Sequence, residues 1–413
     1  MDQPVLTLDP TGANRHTEDA YLRDHGPATR VDLLGQEVWA VADPGVLKAL
    51  LIDPRVSKDA AQHWPKFPDE ILGKWPLALW VGVSNMFTAY GADHRRLRRL
   101  VSPAFAGRRV AALAPRIEEM ADALLDALAA TPAGQSVDLR ENLAVPLPIQ
   151  VISSLMGLPP AAQQAFRGLV DGVFDTTLSQ PEAEANAVKL YGVLAGLVAE
   201  KRESPGDDMT SLLIAARDDQ DEEGDGSALT EQELLDTLLL VVSAGYETTV
   251  NLIDQAITLL LTHPEERAKV DEGKAPWRDV VEETLRFEAP VAHLPLRYAV
   301  EDIELAGGLV IRQGEAILAS YAAIGRHPDL HGETAGAFDV TRAGQDHFAF
   351  GHGVHFCLGA QLARMEAETV LDKLFARFPD IAFAPGAELA PLGSLISNGH
   401  QALPVVLQPA AGS

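Results

Sequence analysis

Apolar positions along this chain recur mostly at helical spacing. Ala- and Leu-rich stretches predict helices over 93–101, 107–130, 141–156, 161–175 and 181–203. Breaks fall at Pro132, Gly157-Leu158-Pro159-Pro160 and Ser204-Pro205-Gly206. The strongest pattern begins at Thr230, which forms a capping box with Glu233. It runs to about Thr262, where His263-Pro264 stops it. That is roughly 50 Å of helix. It is apolar nearly all round from Leu234 to Leu261, which predicts burial through the middle of the domain. Further helices are predicted from about Pro276 to Glu288 and from Gly359 to Phe378.

Strand spacing is scarcer. Arg30 to Ala42 reads as two short strands turning at Gly35, and Asp43-Pro44 then starts a helix. Residues 59–90, rich in Pro and Trp, have no clean period and are predicted as mostly loop. Residues 296–318 read as short strands with turns at Gly307-Gly308 and Gln313-Gly314. Asn398-Gly399, within Ser394–His400, predicts a hairpin. The run 218–226 reads as an exposed acidic connection rather than a calcium loop, whose ligand spacing it lacks. With no repeat and no low-complexity linker, the expectation is one mainly α domain over 1–413. It is a helical bundle around a buried long central helix, with small peripheral β-sheets and a helix-rich C-terminal part.

Composition narrows the function. Hydrophobic residues are 47 % of the 413, enough for a sizeable core. The net charge of −26 argues against nucleic acid and anionic membranes as partners, because phosphate contacts need clustered cations. The N-terminal Met-Asp-Gln-Pro has no basic stretch followed by an apolar run, and no apolar run approaches a membrane span. The cytoplasm is the expected location. A single cysteine, Cys357, excludes an intramolecular disulfide and thiolate-only metal centres. It is either a small buried hydrophobe or a group with a chemical task.

Several places break local rules. Phe350-Gly351-His352-Gly353-Val354-His355-Phe356-Cys357-Leu358-Gly359 sets three glycines around the cysteine just before a helix. The glycines allow close backbone approach to a flat partner, and backbone N–H groups at a helix start favour a thiolate. The other reading is a glycine-rich turn with an inert thiol. Glu283 and Arg286 share a helix face and can pair, which in isolation reads as a surface salt bridge. Ala244-Gly245-Tyr246-Glu247-Thr248-Thr249 puts a glycine, an acid and two hydroxyls inside the apolar helix. That marks either close helix packing or a groove where a polar pair supplies protons. His94 and Arg98 lie on one face of a basic helix and could bind one anion, and Arg297 could reach an anion from a strand.

In this order these elements resemble the cytochrome P450 superfamily of haem-thiolate monooxygenases, over essentially the whole chain. His-Arg-Arg-Leu-Arg-Arg at 94–99, the cysteine loop at 350–359 and Leu-Ala-Arg-Met-Glu at 362–366 are similar to soluble actinobacterial members. The resemblance implies heme b (iron protoporphyrin IX) with Cys357 as axial ligand of its iron, and no bound flavin or NAD. It implies that Phe350, Gly351 and Gly359 shelter the sulfur, and that His94, Arg98, Arg297 and His355 hold the propionates. Glu283 and Arg286 would form an internal ion pair. Thr248 with Glu247 would activate dioxygen, and Ala244 and Gly245 would leave it room. Ala337 stands where an arginine is frequent in the family, leaving Arg342 as a candidate third partner of the pair. Ile324-Gly325-Arg326 replaces the usual Ala-Asn-Arg, and Gln361 a common proline.

Substrate contacts are expected from Trp80, Met86, Phe87, Val241, Val291, His293, Leu294 and Ile396. Most are apolar, so the expected substrate is a hydrophobic small molecule of steroid, polyketide, fatty acid or terpenoid class. The resemblance further implies a monomer that takes electrons from a ferredoxin and its reductase. Arg95, Arg96, Arg99, Arg108, Arg109 and Arg364 are candidates for the docking patch. A non-oxidising haem protein (a sensor or an isomerase) is the alternative reading. A cysteine hydrolase leaves the Gly-Glu-Thr helix unexplained, and a zinc site at His352, His355 and Cys357 lacks a fourth ligand.

Overall fold

The computed structural model describes residues 5–218 and 228–408. Helix α1 (Gly91–Val101), α2 (Pro146–Met156), α3 (Gln180–Glu203), α4 (Glu231–Thr262), α5 (Trp277–Phe287) and α6 (Ala360–Arg377) carry most of what positions the site. α4 starts at the expected capping box: Thr230 Oγ1 accepts from Glu233 N at 3.1 Å, and Thr230 N donates to the Glu233 carboxylate at 2.7 Å. It packs against α2, α5 and α6 and is buried along most of its length. Among the described residues no helix is long and apolar enough to cross a membrane.

Two predicted helices differ from expectation. The stretch 107–130 divides into Gly107–Ala111 and Ala114–Ala129. Pro115 sits in the first turn of the second helix, where its missing N–H costs nothing, whereas a continuous helix would lose a bond there. The start of 141–156 is a π-helical turn, Arg140–Ala144, before α2 begins at Pro146. Residues 59–90 hold short helices at Ala60–His63 and Ala78–Gly82. Their tryptophans are anchors: Trp64 meets Trp75 edge-on at 5.7 Å and stacks on Tyr298 at 5.3 Å. From residue 219 on, the predicted acidic connection lies outside the described residues.

The largest sheet contains β1 (Ala28–Leu33), β2 (Gln36–Val41), β3 (Val56–Ser57), β4 (His293–Ala299) and β5 (Ala316–Ser320). They lie in the order β1-β2-β5-β4-β3, with Leu6–Thr7 paired outside β1. β1 and β2 form the expected hairpin. β4 begins three residues earlier than predicted, because a register shift between Leu294 and Arg297 takes up Pro295, which cannot donate to the ladder.

Asn398-Gly399 is not a hairpin turn. The segment makes only isolated bridges, Val291 with Ser397 and Pro391 with His400. Asn398 is instead a buried junction: its side-chain oxygen accepts from Arg15 at 2.7 Å, and its amide donates to Glu288 at 2.9 Å. A Cβ on Gly399 would come within 2.3 Å of Asn251 Oδ1, so glycine is there for close approach.

Candidate active site

A cavity of about 260 Å³ lies between α4 and the cysteine loop. Trp80, Met86, Phe87, Val241, Val291 and Leu294 line it as expected, and so do Ala244, Gly245 and Thr248. Phe350, Gly351, Cys357 and Gly359 form the facing wall, with Arg98, Arg297 and His355 at one side.

His293 and Ile396 do not line it. His293 neighbours Leu294 on β4, and its Nδ1 bonds to Ser320 Oγ at 3.1 Å, away from the cavity. Burial pushes that imidazole down to about 3. Ile396 is fully buried, and its carbonyl accepts from Ala292 N at 2.8 Å.

The cysteine loop is built for close approach. Gly351 and Gly353 both have φ of +72°, a conformation that side chains resist, and a Cβ on Gly353 would meet the Leu51 carbonyl at 2.7 Å. Cys357 N donates to Phe350 O at 2.9 Å, closing the loop. Burial pushes the Cys357 thiol up, while the backbone N–H groups of Gly359 and Ala360 and the charges of Arg98 and Arg364 pull it back towards thiolate. Arg364 lies over the Phe350 ring at 4.4 Å.

A cationic cluster surrounds His355. Its imidazole is pushed down by burial, then by Lys58, Arg297, His94 and Arg98. His94 does not line the cavity but lies 4.2 Å from the His355 ring, centroid to centroid. It is buried, its Nε2 has no protein partner, and burial with Arg98 and Arg95 pushes it down to about 4. Arg297 Nη1 and the Tyr321 hydroxyl are likewise buried without a partner. A buried donor without an acceptor costs about 1–3 kcal/mol. Several of them around one cavity fit an acidic, planar ligand, and a cysteine beneath two backbone N–H groups fits the metal of such a ligand. On these observations the residues fit haem.

In α4, Thr248 Oγ1 donates to Ala244 O at 2.7 Å, one turn back, and its oxygen remains open to the cavity wall. A Cβ on Gly245 would lie 2.7 Å from Ile152 Cδ1, so this glycine also lets α2 approach. Glu247 points elsewhere. Its carboxylate lies 3.4 Å from Arg140 Nη2 and accepts from Asn251 Nδ2 at 3.1 Å. Burial pushes it up to about 7 even beside Arg140.

Glu283 and Arg286 are both fully buried. Arg286 Nε and Nη2 donate to the two carboxylate oxygens at 2.7 and 2.6 Å. Arg342 Nε is the third partner at 3.3 Å, and Asp339 N donates at 2.8 Å. A surface salt bridge is therefore excluded. Of the candidate docking arginines, Arg96 and Arg364 are paired with Glu233 and Glu282, whereas Arg95, Arg99, Arg108 and Arg109 are exposed.

Sequence reasoning missed Lys58, Tyr321, Arg140 and Glu366. Glu366 lines the cavity from α6, 1 % exposed, and burial pushes its carboxyl well above the usual range. Its place in Leu-Ala-Arg-Met-Glu beside the cysteine loop is the one signal that could have found it.

The Cytochrome P450 family profile matches residues 182–273 and 277–383. The chain is 42 % identical to a 2-hydroxy-5-methyl-1-naphthoate 7-hydroxylase of Streptomyces carzinostaticus, over 98 % of each chain. It is 39 % identical to the cytochrome P450 monooxygenase PikC of Streptomyces venezuelae, covering 97 % of this chain and 94 % of the other. Among solved structures, CYP154A1 from Streptomyces coelicolor A3(2) superposes with a TM-score of 0.94 at 61 % identity, covering 98 % of this chain and all of that one.

Proposed function

We propose, for a chain that belongs to the cytochrome P450 family, that this cavity holds heme b on Cys357 and there oxidises a hydrophobic small molecule. The family is one of haem-binding monooxygenases that act on small molecules with dioxygen and redox partners, and this chain is an enzyme of that kind. One observation carries the site reading: the cysteine loop and the Ala244–Thr248 stretch form facing walls of one cavity, edged by buried donors without partners.

Such a haem, when bound, supplies the one-electron chemistry and dioxygen activation that side chains lack. The chain's share is positioning. Cys357 would supply the thiolate that holds the haem iron, with Gly359 N and Ala360 N stabilising the sulfur's charge. Phe350 and Gly351 would shelter the sulfur, which is exposed in the cavity wall they share with it. Arg98, Arg297, His355 and His94 satisfy the acidic edge. Ala244, exposed to the cavity, keeps space open. Thr248 presents a hydroxyl oxygen at that space, while Glu247, one residue away, faces Arg140 and Asn251 with its carboxyl raised by burial to about 7. Trp80, Met86, Phe87, Val241, Val291 and Leu294 exclude water and select an apolar substrate. The naphthoate hydroxylase among the relatives acts on an aromatic substrate, which supports an aromatic or polyketide-like class here.

In this reading residues 1–413 work as one haem domain, a cytoplasmic monomer that holds no flavin or NAD. Ferredoxin and its reductase supply electrons through the exposed arginines 95, 99, 108 and 109. A panel of hydrophobic compounds scored by haem spin-state shift finds a substrate. Turnover under isotopically labelled dioxygen should then place a single labelled atom in the product. Oxidised product with no label, or tight ligand binding with no oxidation under any donor, overturns the assignment.

A further inference from the structure

One cation in the cavity wall stands outside every role assigned so far. Lys58 follows β3, whose Ser57 pairs with Tyr298 of β4, so the sheet register sets Lys58 beside Arg297. It is 3 % exposed, and Nζ has no hydrogen-bond partner. The ammonium lies 3.7 Å from the centroid of the Phe87 ring. A cation over a ring gains about 2 kcal/mol when desolvated. An ammonium taken out of water costs several. The aromatic face therefore leaves Lys58 under-compensated. Burial, then Arg297, pushes it well below the ordinary lysine range.

The β3–β4 register sets Lys58 beside Arg297, and its charge joins those that push His355 down, so Lys58 stands between that cluster and the Phe87 ring. Among the residues that line the cavity, the cations are Lys58, Arg98 and Arg297, and the one carboxylic acid is Glu366 on α6. Arg98 is held by the Phe356 carbonyl at 2.7 Å, and none of the three has a carboxylate partner among the described hydrogen bonds.

We propose that Lys58 Nζ is a carboxylate anchor for the cofactor, binding the acidic edge of haem alongside Arg297 and His355. The chemistry is a charge-assisted ammonium–carboxylate bond, worth most in a dry site. A substrate carboxylate has the same chemistry, but the position beside Arg297 and His355 places Lys58 at the cofactor's edge.

The test uses the holoenzyme. Haem release is timed by transfer to excess apo-globin for wild type, Lys58→Met and Lys58→Arg. Met fills nearly the same volume without charge, so a space-filling role predicts unchanged release. The anchor predicts release faster by on the order of tenfold in Lys58→Met, with Lys58→Arg close to wild type. In parallel, dodecanoic acid and its methyl ester are titrated by spin-state shift. Unchanged haem release in Lys58→Met overturns the proposal. If the acid alone then loses tenfold in affinity, the anchor belongs to substrate instead. The inference rests on the haem reading, which wild-type haem content tests separately. Wild type that does not take up haem sinks that reading, whereas haem-loaded wild type with an indifferent Lys58→Met sinks only the anchor.

Discussion

Removing the charge of Glu283 tests whether the buried ion pair holds α5 to the segment from Gly325 to Arg342. Glu283→Gln keeps the volume and one carbonyl acceptor, and loses the negative charge that two arginines share. Arg286 makes five bonds. Two go to Glu283, and three go to the carbonyls of Gly325, Ala335 and Ala337 at 2.7, 2.9 and 2.7 Å. Those three would remain, but the guanidinium would be buried at 0 % exposure with no counter-charge, and Arg342 would lose its carboxylate as well. Breaking a buried pair by removing one partner costs about 3–5 kcal/mol, and the surviving amide oxygen sets the expectation near about 3. Urea unfolding, followed by tryptophan fluorescence and by haem absorbance, measures it. Buried pairs can often be replaced by apolar residues at little cost. Here Glu283→Met with Arg286→Met would strand the Gly325 and Ala335 carbonyls and Asp339 N, while the Ala337 carbonyl keeps Arg342, so the double variant should not recover. A loss below about 1 kcal/mol in Glu283→Gln, or a double variant as stable as wild type, would refute the reasoning.

Three further outcomes are expected. Thr248→Ala should still bind haem and substrate but release several times more of its electrons as peroxide; equal product per electron in both proteins removes Thr248 from proton delivery. Burial raises the Glu247 carboxyl from 4.5 to about 7 in the folded chain, which therefore binds this proton more tightly than the unfolded chain. Its stabilising share is complete below pH 4.5, declines as pH rises to about 7 and is then lost, by up to about 3 kcal/mol. Glu247→Gln should flatten that part of the stability–pH curve, and curves that stay parallel would contradict the burial argument. Charge reversal at Arg95 and Arg99 together should lower ferredoxin-driven turnover and weaken its salt dependence while leaving the haem spectrum unchanged; no change in either counts against that docking face.

Much of the fold was legible because it is written locally. The capping box at Thr230, the proline and glycine stops and the uniform hydrophobicity of α4 each act within a few residues. The cysteine loop was legible for the same reason, since its glycines and thiol are contiguous. What stayed hidden depends on distant pairing. Lys58 is one lysine in a mixed stretch, and only the β3–β4 register buries it beside Arg297. Arg140 reaches Glu247 and Asp254 from another helix, at 3.4 and 3.0 Å. Periodicity alone reports neither. The misread Asn398-Gly399 is instructive, because this dipeptide favours a tight turn only when flanking strands can pair, and here tertiary contacts to Arg15, Asn251 and Glu288 claim both residues. Gly325 looked like a local departure from the family pattern. A Cβ there would lie 1.8 Å from the Arg286 carbonyl, so the small residue is part of the ion-pair packing.

The central claim is that Cys357, the one thiol in the chain, ligates haem iron as a thiolate. The absorption spectrum of the reduced protein under carbon monoxide tests it directly, run on wild type and on Cys357→His. A strongly red-shifted Soret band in wild type, lost in the variant, is the predicted result. A wild-type band at the ordinary position of imidazole-ligated haem, or a red-shifted band that survives the substitution, would contradict it.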